Sequence, residues 1–257
     1  MRRGSIGCLL LMSAAMLAGC GAVNVAPTMD IPAPLVERVP ATVGVHYGAA
    51  FRDYVHKETR QGTEYAITLG AAHVTGLGRL LNAMFEHVVE VESPASAATQ
   101  TPPPALTLDP HFEEYSFITP RDVSGGYFAV TIAYRFDIYD SQGRRVDSLR
   151  FSGFGREPEA TMGGTDEPLR LATRRAMRDA GSKVAVELTA QDSVARLLRG
   201  ETVEPMKSPE EQAAEETARA VAPIEQAATA PAPQAPPQPE PPPPVPASPE
   251  TTPAPPP

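Results

Sequence analysis

Between residues 41 and 200 the hydrophobic positions change period several times, and each change marks an element. Val43, Val45 and Tyr47 alternate with polar neighbours, as one face of a strand does. Phe51 to Lys57 is expected to continue as a second, irregular strand after Gly48. The spacing then becomes helical. Val74, Leu77, Leu80, Leu81, Met84, Phe85 and Val88 recur at three- and four-residue intervals, which predicts an amphipathic helix over roughly 70–87, followed by a short strand from Val88 to Val91. The segment from Ser93 to Pro104 has loop composition, and Ala105 to Phe117 reads as a strand region interrupted by Pro110.

The strongest strand signal runs from Tyr127 to Asp140. Phe128, Val130, Ile132, Tyr134, Phe136 and Ile138 share one face; Thr131, Arg135 and Asp137 share the other. Asp140-Ser141-Gln142-Gly143 supplies turn chemistry, and Arg144 to Gly155 should return antiparallel with Leu149 and Phe151 inward. A second helix is expected from Thr165 or Asp166, either of which can cap it. Its stripe is Leu169, Ala172, Ala176, Ala180, Val184 and Leu188. The order strand, helix, three strands, helix, with one apolar face each, predicts an α/β (α+β) fold: two helices on one face of a mostly antiparallel sheet.

The first 20 residues follow a different pattern. Arg2 and Arg3 precede an apolar run from Ile6 to Leu17 that ends in Leu17-Ala18-Gly19-Cys20. A basic start, a run too short to span a bilayer and a small-residue cut site describe a secretory signal peptide over 1–19. The tetrapeptide resembles the lipobox of bacterial lipoproteins, and the resemblance implies acylation of Cys20 as the first residue of the mature chain. Cys8 would leave with the signal, making Cys20 the mature chain's one cysteine. Several acyl chains hold a protein durably where one does so marginally. In the lipoprotein family an Asp after the cysteine often retains the protein in the inner membrane. Gly21 stands there, which points to a periplasm-facing place on the outer membrane, with surface exposure open.

Composition sets the outer boundaries. The formal charge of −9 becomes −11 without Arg2 and Arg3. Such an acidic chain is a poor partner for nucleic acid. Charge and proline both shift near Gly200: residues 201–257 sum to −7 and hold 18 of the 30 prolines. The expected organisation is therefore a signal peptide (1–19), a Pro-containing tether (20–40), an α/β domain (41–200) and a polar, proline-rich, disordered tail (201–257). Within that tail, Ser208-Pro209-Glu210-Glu211 carries a capping-box signature for a short helix to about Val221.

The body resembles small envelope lipoproteins with an α/β sandwich domain, such as the lipopolysaccharide-assembly lipoprotein, the penicillin-binding-protein activator lipoproteins and the N-terminal domain of the Tol-system periplasmic protein. The matching pieces are Val43-Gly44-Val45, the run from Met84 to Val91, and Phe136 to Gly143. No single family follows from them.

No reaction is legible. His46, His56, His73, His87 and His111 are scattered, expected at the surface or at strand edges, without the ligand spacing of a metal site. There is no nucleophile elbow. Glu113-Glu114 and Asp137/Asp140 read as solvated acids. Gly163-Gly164-Thr165 reads as a flexible helix entry, and Gly76 and Gly78 as close packing of helix on sheet. Neither a catalytic residue, a metal nor a cofactor is expected. The reading is a non-catalytic accessory or binding module for a cell-envelope complex, membrane-bound through Cys20, with an envelope protein or the cell wall as partner. The alternative is a lipid- or glycan-binding assembly or transport lipoprotein, with a hollow between the helix bearing Leu77, Leu81 and Phe85 and the strand bearing Tyr134 and Phe136.

Overall fold

The computed structural model describes residues 22–32, 34–159 and 164–207. The signal peptide, Cys20 and the segment after Lys207, including its capping-box signature, lie outside the described residues, as does Gly163. Among the described residues eight strands form two sheets. The larger has the order β5-β2-β6-β7-β8, from β2 (Val39–Val45), β5 (Phe85–Glu90), β6 (Leu106–Ile118), β7 (Tyr127–Asp140) and β8 (Arg145–Pro158). The smaller, β1-β4-β3, comprises β1 (Val23–Val25), β3 (Val55–Arg60) and β4 (Thr63–Thr68). The helices are α1 (Ala49–Arg52), α2 (Gly70–Met84), α3 (Pro94–Ala97), α4 (Asp166–Glu187) and α5 (Asp192–Leu198).

The long β6–β7–β8 meander is antiparallel, while β2 joins β5 and β6 in parallel. The six β7 residues expected inward are all buried. So is the whole predicted stripe of α4, which covers them. Thr165 stands at the N-cap of α4 but makes no side-chain cap bond. The close approach of α4 requires Gly153 and Gly155. A Cβ at Gly153 would lie 2.0 Å from the Ala176 carbonyl oxygen, and one at Gly155 would lie 1.9 Å from that of Ala172.

The same helix closes the free edge of β8. Lys183 Nζ donates to the Ser152 carbonyl at 2.6 Å, Phe154 N–H donates to Asp179 at 3.0 Å, and Arg175 donates to the Arg156 carbonyl at 2.8 Å. An unpaired edge is a template for aggregation, and side-chain capping removes it.

Pro110 does not interrupt β6: it pairs with Phe136 inside a continuous ladder. Leu108 turns its carbonyl toward β2, accepting from His46 N–H at 2.8 Å. Two residues on, Pro110 faces the same side, beyond the last β2 pairing at Val45–Leu108. Its missing donor therefore breaks no bond.

Several segments differ from expectation. Where it is described, the segment expected as a tether packs on the body. Val23–Val25 pairs in parallel with β4, Met29 is buried in the niche of Gly76, and Ile31 lies over Gly181. Gly76 thus makes room for the N-terminal segment rather than for a strand; Gly78 is looser, with only the Tyr47 hydroxyl within reach of an added Cβ, at 3.8 Å. Phe51 belongs to the short α1, and the strand after it begins at Val55. The body also extends past Gly200, because Val203 is buried and Met206 N–H donates to the Arg145 carbonyl at 2.8 Å.

Candidate functional site

The faces of the larger sheet separate two kinds of chemistry. On the helix-covered face, Phe112 lies among Phe51, Tyr54, His73 and Tyr134, with ring centroids 4.2 to 5.5 Å away. His73 is fully buried, not at the surface as expected. Its Nδ1–H donates to the Leu69 carbonyl at 2.7 Å, which leaves Nε2 to accept from the Tyr134 hydroxyl. Leu77, Leu81, Phe85, Tyr134 and Phe136 are all buried. The hollow expected between α2 and β7 is therefore filled.

The other face carries a row of charges. Asp109 and Asp137 are direct cross-strand partners, 8 % and 4 % exposed. Asp137 accepts from Ser148 Oγ at 2.9 Å and lies 3.0 Å from Arg145 and 3.3 Å from Arg135. His111 Nε2 is 3.3 Å from Asp109 and 3.5 Å from Asp137. Asp140 is likewise buried: it takes the Gln142 and Arg144 N–H groups at 2.9 Å and pairs with the Arg144 guanidinium. Both aspartates were expected as solvated turn residues. Cross-strand registry brings counter-charges onto Asp137, and the turn backbone wraps Asp140. Glu113 and Glu114 stay exposed beside a bulge, where Glu113 pairs with Arg150 at 2.9 Å.

This row has the composition of a balanced ion network. Ser148 donates directly to a carboxylate, and Ser193 does the same to Asp147 at 2.5 Å, so neither hydroxyl is engaged by a histidine base. Among the described residues, no group of three or more His, Cys, Asp or Glu could hold a metal ion. Contact with Asp109 raises the His111 pKa, and the charges of Asp109 and Asp137 add to this against burial and Arg135. A raised folded-state pKa means the network stabilises the fold fully below the ordinary histidine pKa and loses that contribution as pH rises through the folded value. We expect His111→Gln to remove this part of the decline, with the His111 imidazole titrating above 6.5 in a proton NMR titration. Titration at or below that value would contradict the geometry.

Of the remaining histidines, His46 Nδ1–H donates to the Val91 carbonyl at 3.2 Å, His56 lies 3.1 Å from Glu58, and His87 is exposed. Thus His111 alone meets the carboxylates of the network.

A separate feature is apolar and open to water. Ile31, Pro32, Leu35, Val36, Leu80 and Val186 line a groove of about 310 Å³, with Arg178 and Ser182 also lining it. Leu35 is 106 % exposed and Val186 67 %. Large aliphatic side chains left in water beside one another mark surfaces that meet something. Sequence reasoning missed this groove because its walls come from the supposed tether and from the far side of α4. The one available signal was Val186, an apolar residue off the α4 stripe.

No family model and no curated protein matches the chain. Solved structures do resemble it. A protein from Xanthomonas campestris, of a family called DUF330, is 13 % identical with a TM-score of 0.45, over 67 % of this chain and 99 % of its own. A minor lipoprotein from Acinetobacter baumannii is 13 % identical with a TM-score of 0.36, over 60 % of this chain and 94 % of its own. Lipoprotein GNA1162 from Neisseria meningitidis is 14 % identical with a TM-score of 0.27, over 49 % and 88 %. The chain carries the signature of a bacterial lipoprotein and is assigned to no single family. Among the described residues no helix is long and apolar enough to cross a membrane.

Proposed function

We propose that this chain is a non-catalytic accessory or binding module of a cell-envelope complex, held on the outer membrane by acyl chains on Cys20. The observation that carries the binding role is the open aliphatic groove, in which Leu35 and Val186 remain in water, whereas the buried Asp137 lies within ion-pair distance of Arg135 and Arg145. The favoured occupant is an apolar segment of a partner protein. Exposed aliphatic area of this kind gains about 25 cal/mol per Å² when covered.

A second reading is favoured by the groove's lack of aromatic side chains together with Arg178 in its lining. Such a groove suits an acyl chain with an anionic headgroup better than a sugar. A photo-reactive residue at Leu35 or Val186 in intact cells separates the two. A discrete protein adduct supports the first reading, a lipid adduct the second, and no adduct at either position defeats both.

The anchor has its own test. Cys20→Ala is expected to move the protein from the membrane fraction to the soluble fraction, because no second attachment is expected. Retention on membranes at wild-type level would overturn the acyl anchor.

A further inference from the structure

We propose that the body is seated directly on the bilayer, with the end formed by the Gln61–Gly62 turn and the 119–126 loop toward the lipid headgroups, and that the chain leaves the body at the opposite end. This rests on the acyl anchor at Cys20. Only Gly21 and Ala22 lie between Cys20 and Val23, so at full extension the acylated sulfur-bearing residue lies within about 10 Å of β1. Val23 is no longer free, because it pairs in parallel with Tyr65 of β4.

The parallel pairing decides which end faces the lipid. β4 starts from the Gln61–Gly62 turn, so the chain must enter β1 from that same end. The turn is joined to the 119–126 loop, with Gln61 donating to Asp122 at 3.2 Å and Arg60 lying 3.3 Å from it. Tyr65 packs on Phe117 at 4.9 Å between ring centroids, and Phe117 pairs with Val130. The anchor therefore enters at the Val130 level of β7. Met29 buried against Gly76 and Ile31 against Gly181 fix the rest of the N-terminal segment to the body.

Departure lies at the other end of the same strand. Met206 N–H is bonded to the Arg145 carbonyl, and Arg145 pairs with Tyr139. From Val130 to Tyr139 at ~3.3 Å per residue is about 30 Å. With the first end held at the headgroups, Met206 stands that far from the membrane. The proximal end thus faces a phospholipid surface and is kept there by the acyl chains, and the distal end, with the Asp140–Arg144 turn and α5, is the one presented to soluble partners.

The chain contains no tryptophan, which makes an added one a clean probe. Ser124, in the proximal loop, and Gln142, in the distal turn, are both exposed. The full-length acylated protein carrying Ser124→Trp or Gln142→Trp is reconstituted into phosphatidylethanolamine/phosphatidylglycerol vesicles containing a dansyl-headgroup lipid, and energy transfer from tryptophan is read. Severalfold stronger transfer from position 124 than from 142 is expected. Equal or reversed transfer in protein that floats with the vesicles overturns the seating while leaving the anchor intact. Failure of both variants and the wild type to float overturns the anchor and the seating together.

Discussion

Gly155→Ala is expected to destabilise the fold by about 3 kcal/mol, at the upper end of the usual cost of overpacking. The added Cβ would stand 1.9 Å from the Ala172 carbonyl oxygen and 2.5 Å from the Ala176 amide nitrogen. Those are backbone atoms of a long helix, so no side-chain rotation relieves the clash. The helix must lift from β8. Lifting also stretches the bonds from Arg175, Asp179 and Lys183 that close the β8 edge. Gly153→Ala should behave alike, since its Cβ would lie 2.0 Å from the Ala176 carbonyl. Gly48→Ala is the matched control. Its nearest neighbour is His46 Nε2 at 3.6 Å, and a change within about 0.5 kcal/mol is expected. Urea unfolding followed by far-ultraviolet circular dichroism measures all three. A Gly155→Ala protein as stable as the control would show that α4 does not rest on the glycines.

The second large effect is a loss of stability on acidification, traced to His73. Burial pushes its pKa down to about 4, only partly opposed by the bond to the Leu69 carbonyl. In the unfolded chain the same imidazole titrates near 6.5. Between those values the unfolded state binds the proton and the folded state does not, so stability rises with pH across the window. Falling from pH 6.5 to 4 should remove about 3 kcal/mol through this one residue. The double variant His73→Leu/Tyr134→Phe removes the imidazole without stranding the tyrosine hydroxyl. It should flatten the profile between pH 4 and 6.5 relative to wild type. Parallel profiles from the two proteins would exclude His73 as the source. This dependence runs opposite to that of His111, which weakens the fold on the alkaline side, so the pair together favours a maximum near neutrality.

Much of the fold was legible in residue order. The Tyr127–Asp140 strand, its hairpin with β8 and the α4 stripe follow from strict periodicity, because each element places its large apolar side chains on one face and its polar ones on the other. β4 was missed: only Tyr65 and Ile67 alternate within it, and six residues give too little period to stand out. The α2 boundary shifted because Phe85 and Val88 continue the apolar count after the backbone has become extended at Phe85. For the site, the strand alternation of Thr107, Asp109 and His111 could have shown a polar row. Its pairing with Asp137 depends on the register set by the bulge between Phe112 and Glu114, which no local pattern reveals.

Residue order alone establishes which segments are strands and helices of strong period, the excess of negative charge and the lipobox ending at Cys20, because these are properties of neighbouring residues. Folding in three dimensions sets that Val23–Val25, Met29 and Ile31 belong to the body, that Asp137 and Asp140 are buried, and that Leu35 and Val186 line one open groove. Each of those outcomes depends on groups far apart in sequence meeting in space. The residue that receives Met29 is a glycine 47 positions away, and its role is set by the partner it admits.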